Sequence, residues 1–96
     1  MFIVLAYDVN TASEYGQRRL RKVAKLCENY GVRVQNSVFE LEINLSQLAI
    51  ITNRLEQIID MEKDSVRFYR ISGNWENKVT ILGRKQMVEL KDAFII

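Results

Sequence analysis

Asp8 is the residue whose setting asks for a chemical explanation. It follows the unbroken apolar run Phe2 to Tyr7 in the stretch FIVLAYDVN, so a carboxylate stands at the exit of a segment that reads as a buried strand. The chain contains no histidine and a single cysteine, Cys27. That removes the usual general base near neutral pH and the usual imidazole ligand, and within one chain it excludes disulfide frameworks and thiolate clusters. Hydrolysis by such a chain must rest on a hard cation held by carboxylate oxygens. One aspartate is too few donors for the octahedral oxygen shell of Mg²⁺, but two Asp8 carboxylates brought together by a two-fold axis and completed by water form a plausible site. The same position also suits a plainer role, in which Asp8 accepts backbone N–H groups of the loop that follows. On the residues alone both readings stand.

The neighbours divide in the same way. Tyr7 can hydrogen-bond a phosphate or order the site, or it can be a core residue with its hydroxyl at the surface. Asn10 reads as a turn residue. Further on, residues 17–33 carry six basic groups, Arg18, Arg19, Arg21, Lys22, Lys25 and Arg33, against one acid, Glu28, although the net charge is only +2. On a helix Arg18, Arg21 or Lys22, and Lys25 recur on one side, a ridge whose spacing can follow successive phosphates, with Arg19 off to the side. A solvated helix face has the same pattern. The acids Glu56, Asp60, Glu62 and Asp64 gather around the middle of the chain. Cys27 lies in the apolar stripe and reads as a small buried hydrophobe, not a nucleophile.

The elements that must position these groups follow from periodicity. Residues 2–7 form a central strand, apolar on both sides. A helix begins at Glu14, capped by Asn10, Thr11 or Ser13, with the stripe Leu20, Val23, Ala24, Cys27 and Tyr30, and Gly31 is expected to end it in a left-handed conformation. Val32 and Val34 alternate in one parity and Phe39, Leu41 and Ile43 in the other, which demands a turn or bulge near Gln35-Asn36-Ser37 between two short strands. Asn44 with Gln47 caps a second helix whose apolar residues are Leu48, Ile51, Leu55, Ile58 and Ile59. Residues 65–71 make a fourth strand whose inner face is ambiguous, and residues 78–82, preceded by Trp75, a fifth.

The order βαββαβ is the ferredoxin-like α+β unit, an antiparallel four-stranded sheet with two helices on one face. It occupies a single domain of 96 residues with its core in 1–72. A chain this short buries only roughly 60–65% of its unfolded surface. The sheet's other face has no cover within the chain, so a homodimer packed sheet to sheet is the simplest solution. Residues 73–96 would then lie at the interface, the fifth strand adding to the partner's sheet edge and Trp75 locking it there. The apolar tail, with Met87, Leu90, Phe94, Ile95 and Ile96, would dock on the dimer or on another protein. No apolar run approaches the ~20 residues of a membrane span. With no basic stretch or small-residue cleavage site at the start, a cytoplasmic location is expected.

VLAYDVN followed by GQRRLRKVAKLCENYGVRVQNSVFE resembles the second CRISPR-associated (Cas) protein family, the small partner of the CRISPR adaptation integrase. CENYGVRVQNSVFE is its most specific part, and the residues from 85 onward carry little of it. The resemblance implies a ferredoxin-like homodimer whose fifth strand crosses to the partner, with Mg²⁺ or Mn²⁺ between the subunits. It implies metal-dependent endonuclease activity on RNA or DNA with Asp8 as catalytic residue and metal ligand. Ser37 and Phe39 would lie near the metal, Ser37 orienting a water and Phe39 packing at the dimer interface. It also implies a part in spacer acquisition, the dimer bridging two dimers of the integrase, the first Cas protein, and supporting a prespacer duplex. Some members of that family are similar in fold yet act as scaffolds, so a non-catalytic scaffold is the alternative. A ligand-sensing or RNA-stacking module of the same fold is disfavoured: the loop after Asp8 lacks glycines, and no strand interleaves aromatics.

Overall fold

The computed structural model of the chain describes residues 1–83. Its elements are β1 (Phe2–Asp8), α1 (Glu14–Glu28), β2 (Gly31–Gln35), β3 (Val38–Glu42), α2 (Leu45–Ile58) and β4 (Ser65–Ile71), followed by a 3₁₀ turn, Trp75–Asn77. The strands form one sheet in the order β2-β3-β1-β4, every neighbouring pair antiparallel. This is the ferredoxin-like arrangement that the element order predicts.

Strand parity fixes the two faces. Ile3, Leu5 and Tyr7 of β1, Phe39 and Leu41 of β3, and Val66 and Phe68 of β4 pack with Val23, Leu26 and Cys27 of α1 and Ile51 and Leu55 of α2. The ambiguity in β4 is thereby resolved, since Leu5 stands opposite Phe68 and Tyr7 opposite Val66. The other face carries Phe2, Val4, Ala6 and Asp8 from β1, Val38 and Glu40 from β3, and Arg67, Tyr69 and Ile71 from β4. No helix covers it: Val4 and Ala6 are half-buried and Tyr69 is exposed. Phe2 is shielded by its own chain's Trp75, stacked on it at 4.5 Å between ring centroids.

Local chemistry explains the helix ends. The Ser13 hydroxyl accepts the Gly16 N–H and caps α1. Asn44 and Gln47 form a reciprocal capping box on α2, Gln47 N–H to Asn44 Oδ1 at 2.8 Å and Asn44 N–H to Gln47 Oε1 at 3.0 Å. The slip of parity is a bulge: Arg33 opposes Phe39 and Gln35 opposes Val38, which leaves Val34 without an opposite number.

One expectation needs correction. Gly31 does not close α1 in a left-handed turn, because the positive-φ glycines among the described residues are Gly73 and Gly83. α1 ends through Asn29, right-handed, whose N–H donates to the Leu26 carbonyl. Gly31 opens β2 instead, and it must be glycine because a Cβ there would overlap the Glu40 carbonyl and the Leu41 side chain on β3. The fifth strand of residues 78–82 is expected on a partner's sheet edge, and within the single chain these residues form no strand. Lys78 and Val79 donate their N–H groups back to the Trp75 carbonyl, so this segment starts as a turn, and a strand needs an edge to pair with. The tail from 85 to 96, expected to dock, lies outside the described residues.

Candidate metal centre at the end of the first strand

Asp8 ends β1 opposite Ser65 of β4 and is exposed. Parity puts it on the helix-free face, two residues beyond Ala6. Among the described residues its carboxylate accepts no hydrogen bond. The duty of capping the loop falls to others: the Asn10 Oδ1 accepts the Ala12 N–H at 3.0 Å, and the Asn10 N–H donates to Asp64 Oδ1 at 3.0 Å. Asp8 is therefore not the loop cap, and the plainer of its two sequence readings falls.

Tyr7 points the opposite way, into the helix-side core, 5% exposed. Its hydroxyl donates to the Asn36 carbonyl at 3.3 Å and its backbone N–H to the Ser37 carbonyl at 3.0 Å. Burial pushes its phenol above the usual tyrosine range, with the nearby Arg33 opposing that rise. Tyr7 and Ser37 thus tie the β2–β3 turn to the end of β1. Phe39 is correspondingly not an interface residue in this fold: its register with Leu5 places it on the helix side, fully buried, with its ring 6.2 Å from that of Tyr7.

The basic residues separate into a free ridge and two anchored arginines. Arg18, Arg21, Lys22 and Lys25 are exposed along α1, with Arg18 5.8 Å from the centroid of the exposed Tyr15 ring. Arg33 lies 5.3 Å over the Phe39 ring and 3.5 Å from the Glu28 carboxylate. Arg19 turns inward, its Nε 2.7 Å from Asp64 Oδ2. Arg19 is thus turned away from the ridge, while Arg33, on β2 outside the helix, is exposed. Cys27 is buried as expected, and burial pushes its thiol up to about 12, which leaves it no thiolate at neutral pH.

Two carboxylates escaped sequence reasoning. Asp64 is buried and takes hydrogen bonds from three neighbours, Arg19, Asn10 and Asp60, yet nothing in its spacing sets it apart from Glu56, Asp60 and Glu62 around it. Glu40 is 6% exposed on the helix-free face, and its Oε1 has no hydrogen-bond partner among the described residues. Its place after Phe39 in an alternating strand predicts solvent.

As for a metal, no group of three or more His, Cys, Asp or Glu side chains among the described residues converges on one point. The single uncommitted carboxylate at the strand end fits a hydrated hard cation shared across a two-fold axis, and does not fit a cage built by one chain.

The model of the family "CRISPR associated protein Cas2" matches residues 1–79. The chain belongs to this family. Among Cas2 relatives, the "CRISPR-associated endonuclease Cas2" of Halalkalibacterium halodurans is 48% identical over 95 residues, 99% of either chain. The "CRISPR-associated endoribonuclease Cas2 3" of Rhodospirillum rubrum is 47% identical over 94 residues, 98% of this chain and 99% of its own. The crystal structure of Streptococcus pyogenes Cas2 at pH 6.5 matches with a TM-score of 0.78 at 51% identity, over 86% of this chain and 100% of that one. Among the described residues no helix is long and apolar enough to cross a membrane.

Proposed function

We propose that the chain acts in CRISPR spacer acquisition as a cytoplasmic homodimer that cleaves RNA or DNA phosphodiesters, with Mg²⁺ or Mn²⁺ held between the two Asp8 carboxylates. The exposed, uncommitted carboxylate of Asp8, on a sheet face that carries apolar residues and no helix, is the observation that supports it. When bound, such a cation supplies positive charge beside a phosphodiester and makes water more acidic. Asp8 holds it; the ridge of Arg18, Arg21, Lys22 and Lys25 attracts the phosphate backbone. Without the cation the two facing carboxylates repel. Asp8→Ala should lower metal-dependent cleavage by at least about 100-fold, more than loss of an outer-sphere residue costs. Dimer formation and duplex binding should survive. Cleavage that persists in Asp8→Ala at the parent's rate would mark the activity as contamination and end this reading.

A second reading is favoured by the exposed ridge itself: the dimer is a non-catalytic scaffold that bridges integrase dimers and holds prespacer duplex. Here Asp8→Ala leaves assembly and duplex binding at the parent's level. Replacing Lys22 and Lys25 by Gln weakens duplex binding without regard to sequence, and flattens its salt dependence by about 0.9 per lost phosphate contact.

A further inference from the structure

Asp64 is a buried carboxylate that the proposed chemistry does not use. Its side chain has no exposed surface, and both oxygens are filled. Oδ2 accepts from Arg19 Nε at 2.7 Å and from the Asp60 N–H at 2.8 Å, while Oδ1 accepts from the Asn10 N–H at 3.0 Å and from Arg19 Nη2 at 3.3 Å. The donors come from α1, from the β1–α1 connection and from the α2–β4 connection. Arg19 Nη2 also reaches the Asn10 carbonyl at 3.4 Å, so both backbone groups of Asn10 are held by the same ion pair. Gly16 closes the arrangement, since the Asn10 carbonyl lies where a Cβ of residue 16 would be.

Asp8 is bracketed by this cluster. Asn10 lies two residues after it, and Ser65, its opposite number on β4, directly follows Asp64. An apolar pair could fill the same space at similar stability. It could not hold the backbone groups of Asn10, after Asp8, and of Asp60, ahead of β4, through hydrogen bonds.

We propose that Arg19 and Asp64 are positioning residues for Asp8: their ion pair fixes where the chain leaves β1, and so where the carboxylate stands relative to its two-fold mate. This rests on Asp8 being the metal ligand. A ligand on an anchored strand end meets the cation without first being ordered, and outer-sphere contacts of this kind govern affinity as much as the ligands do.

The test uses the full chain with Arg19→Gln, Asp64→Asn and the milder Arg19→Lys, which keeps the charge but loses the planar fork. In the first two, amide hydrogen exchange over residues 9–12 should quicken by about 10-fold or more, the β2–β3 hairpin staying as in the parent. The Mg²⁺ concentration for half-maximal cleavage should rise by about 10-fold or more. Nucleic-acid affinity measured in EDTA should not move, and Arg19→Lys should fall between. Exchange and half-saturation at parental values in any folded variant overturn the proposal. So does a loss of nucleic-acid affinity in Arg19→Gln that Asp64→Asn does not share, which would return Arg19 to the phosphate ridge. Asp8→Ala, run alongside, separates the two ideas: cleavage that survives it removes the nuclease reading, while exchange over residues 9–12 still decides whether the ion pair holds the strand end.

Discussion

Single residues in this chain are legible where their chemistry is local and obscure where it depends on a distant partner. Asp8 stands out because an acid closes an apolar run, and Cys27 because it falls on an apolar stripe. Arg19 does not: its partner Asp64 is 45 residues away, and no periodicity links them. Glu40 is the sharper case, because alternation predicts solvent and the fold puts it at 6% exposure with one unpartnered oxygen. Burial raises its carboxyl above the usual range. The folded chain therefore binds that proton more tightly than the unfolded one, so stability falls as pH rises from the unfolded value, about 4.3, through the folded one. Above that window the cost is complete. Glu40→Gln keeps the shape and removes the charge, so it should stabilise by about 1 kcal/mol or more at pH 7, the excess cost of burying a charged group over a neutral one. The gain should shrink toward zero near pH 4. Thermal melts at both pH values and equal protomer concentration check this, and an equal shift at the two would count against a titrating Glu40.

At the level of elements, order and type follow from period and caps, and the boundaries that depend on backbone approach do not. The parity slip between Val34 and Phe39 announces a bulge before any coordinates. Gly31 illustrates the opposite: a glycine after an apolar helical stripe looks like a C-terminal cap, and only the pairing of β2 with β3 reveals that it is small to let Glu40 and Leu41 approach. Gly16 makes the same point inside a helix. Propensity alone predicts that Gly16→Ala gains about 1 kcal/mol. The added Cβ, however, would occupy the position of the Asn10 carbonyl oxygen, a backbone atom that cannot swing aside. Overpacking of this sort costs about 1–3 kcal/mol or more, so steric conflict wins and the variant is less stable than the parent. The expected result is a lower urea midpoint at unchanged m-value. A raised midpoint would mean that the β1–α1 connection does not rest on the first turn of α1.

For the molecule as a whole, the two faces of the sheet carry different instructions. The helix side is closed by Val23, Leu26, Cys27, Ile51 and Leu55, whereas the other side presents Val4, Ala6, Val38 and Tyr69 with no helix above them. Such a face gains stability when something of the same chemistry covers it, and a second copy laid on it about a two-fold axis would bring Asp8 toward its twin at the same time. Tyr69 is the residue on which to test this, because it sits opposite Val4 in mid-sheet and is 49% exposed in the single chain. Replacing it therefore costs the monomer little, as for other surface positions. Tyr69→Glu places a carboxylate where the partner's sheet would lie, and even with the Arg67 guanidinium beside that position the desolvation of such charges costs an interface several kcal/mol. The variant should fold with parental circular dichroism but elute as a monomer in light-scattering chromatography at micromolar concentration. Metal-dependent cleavage should vanish with the dimer, although Asp8 itself is untouched. A monomeric variant that still cleaves would show that one Asp8 suffices, and a dimer that survives the substitution would place the interface on another surface.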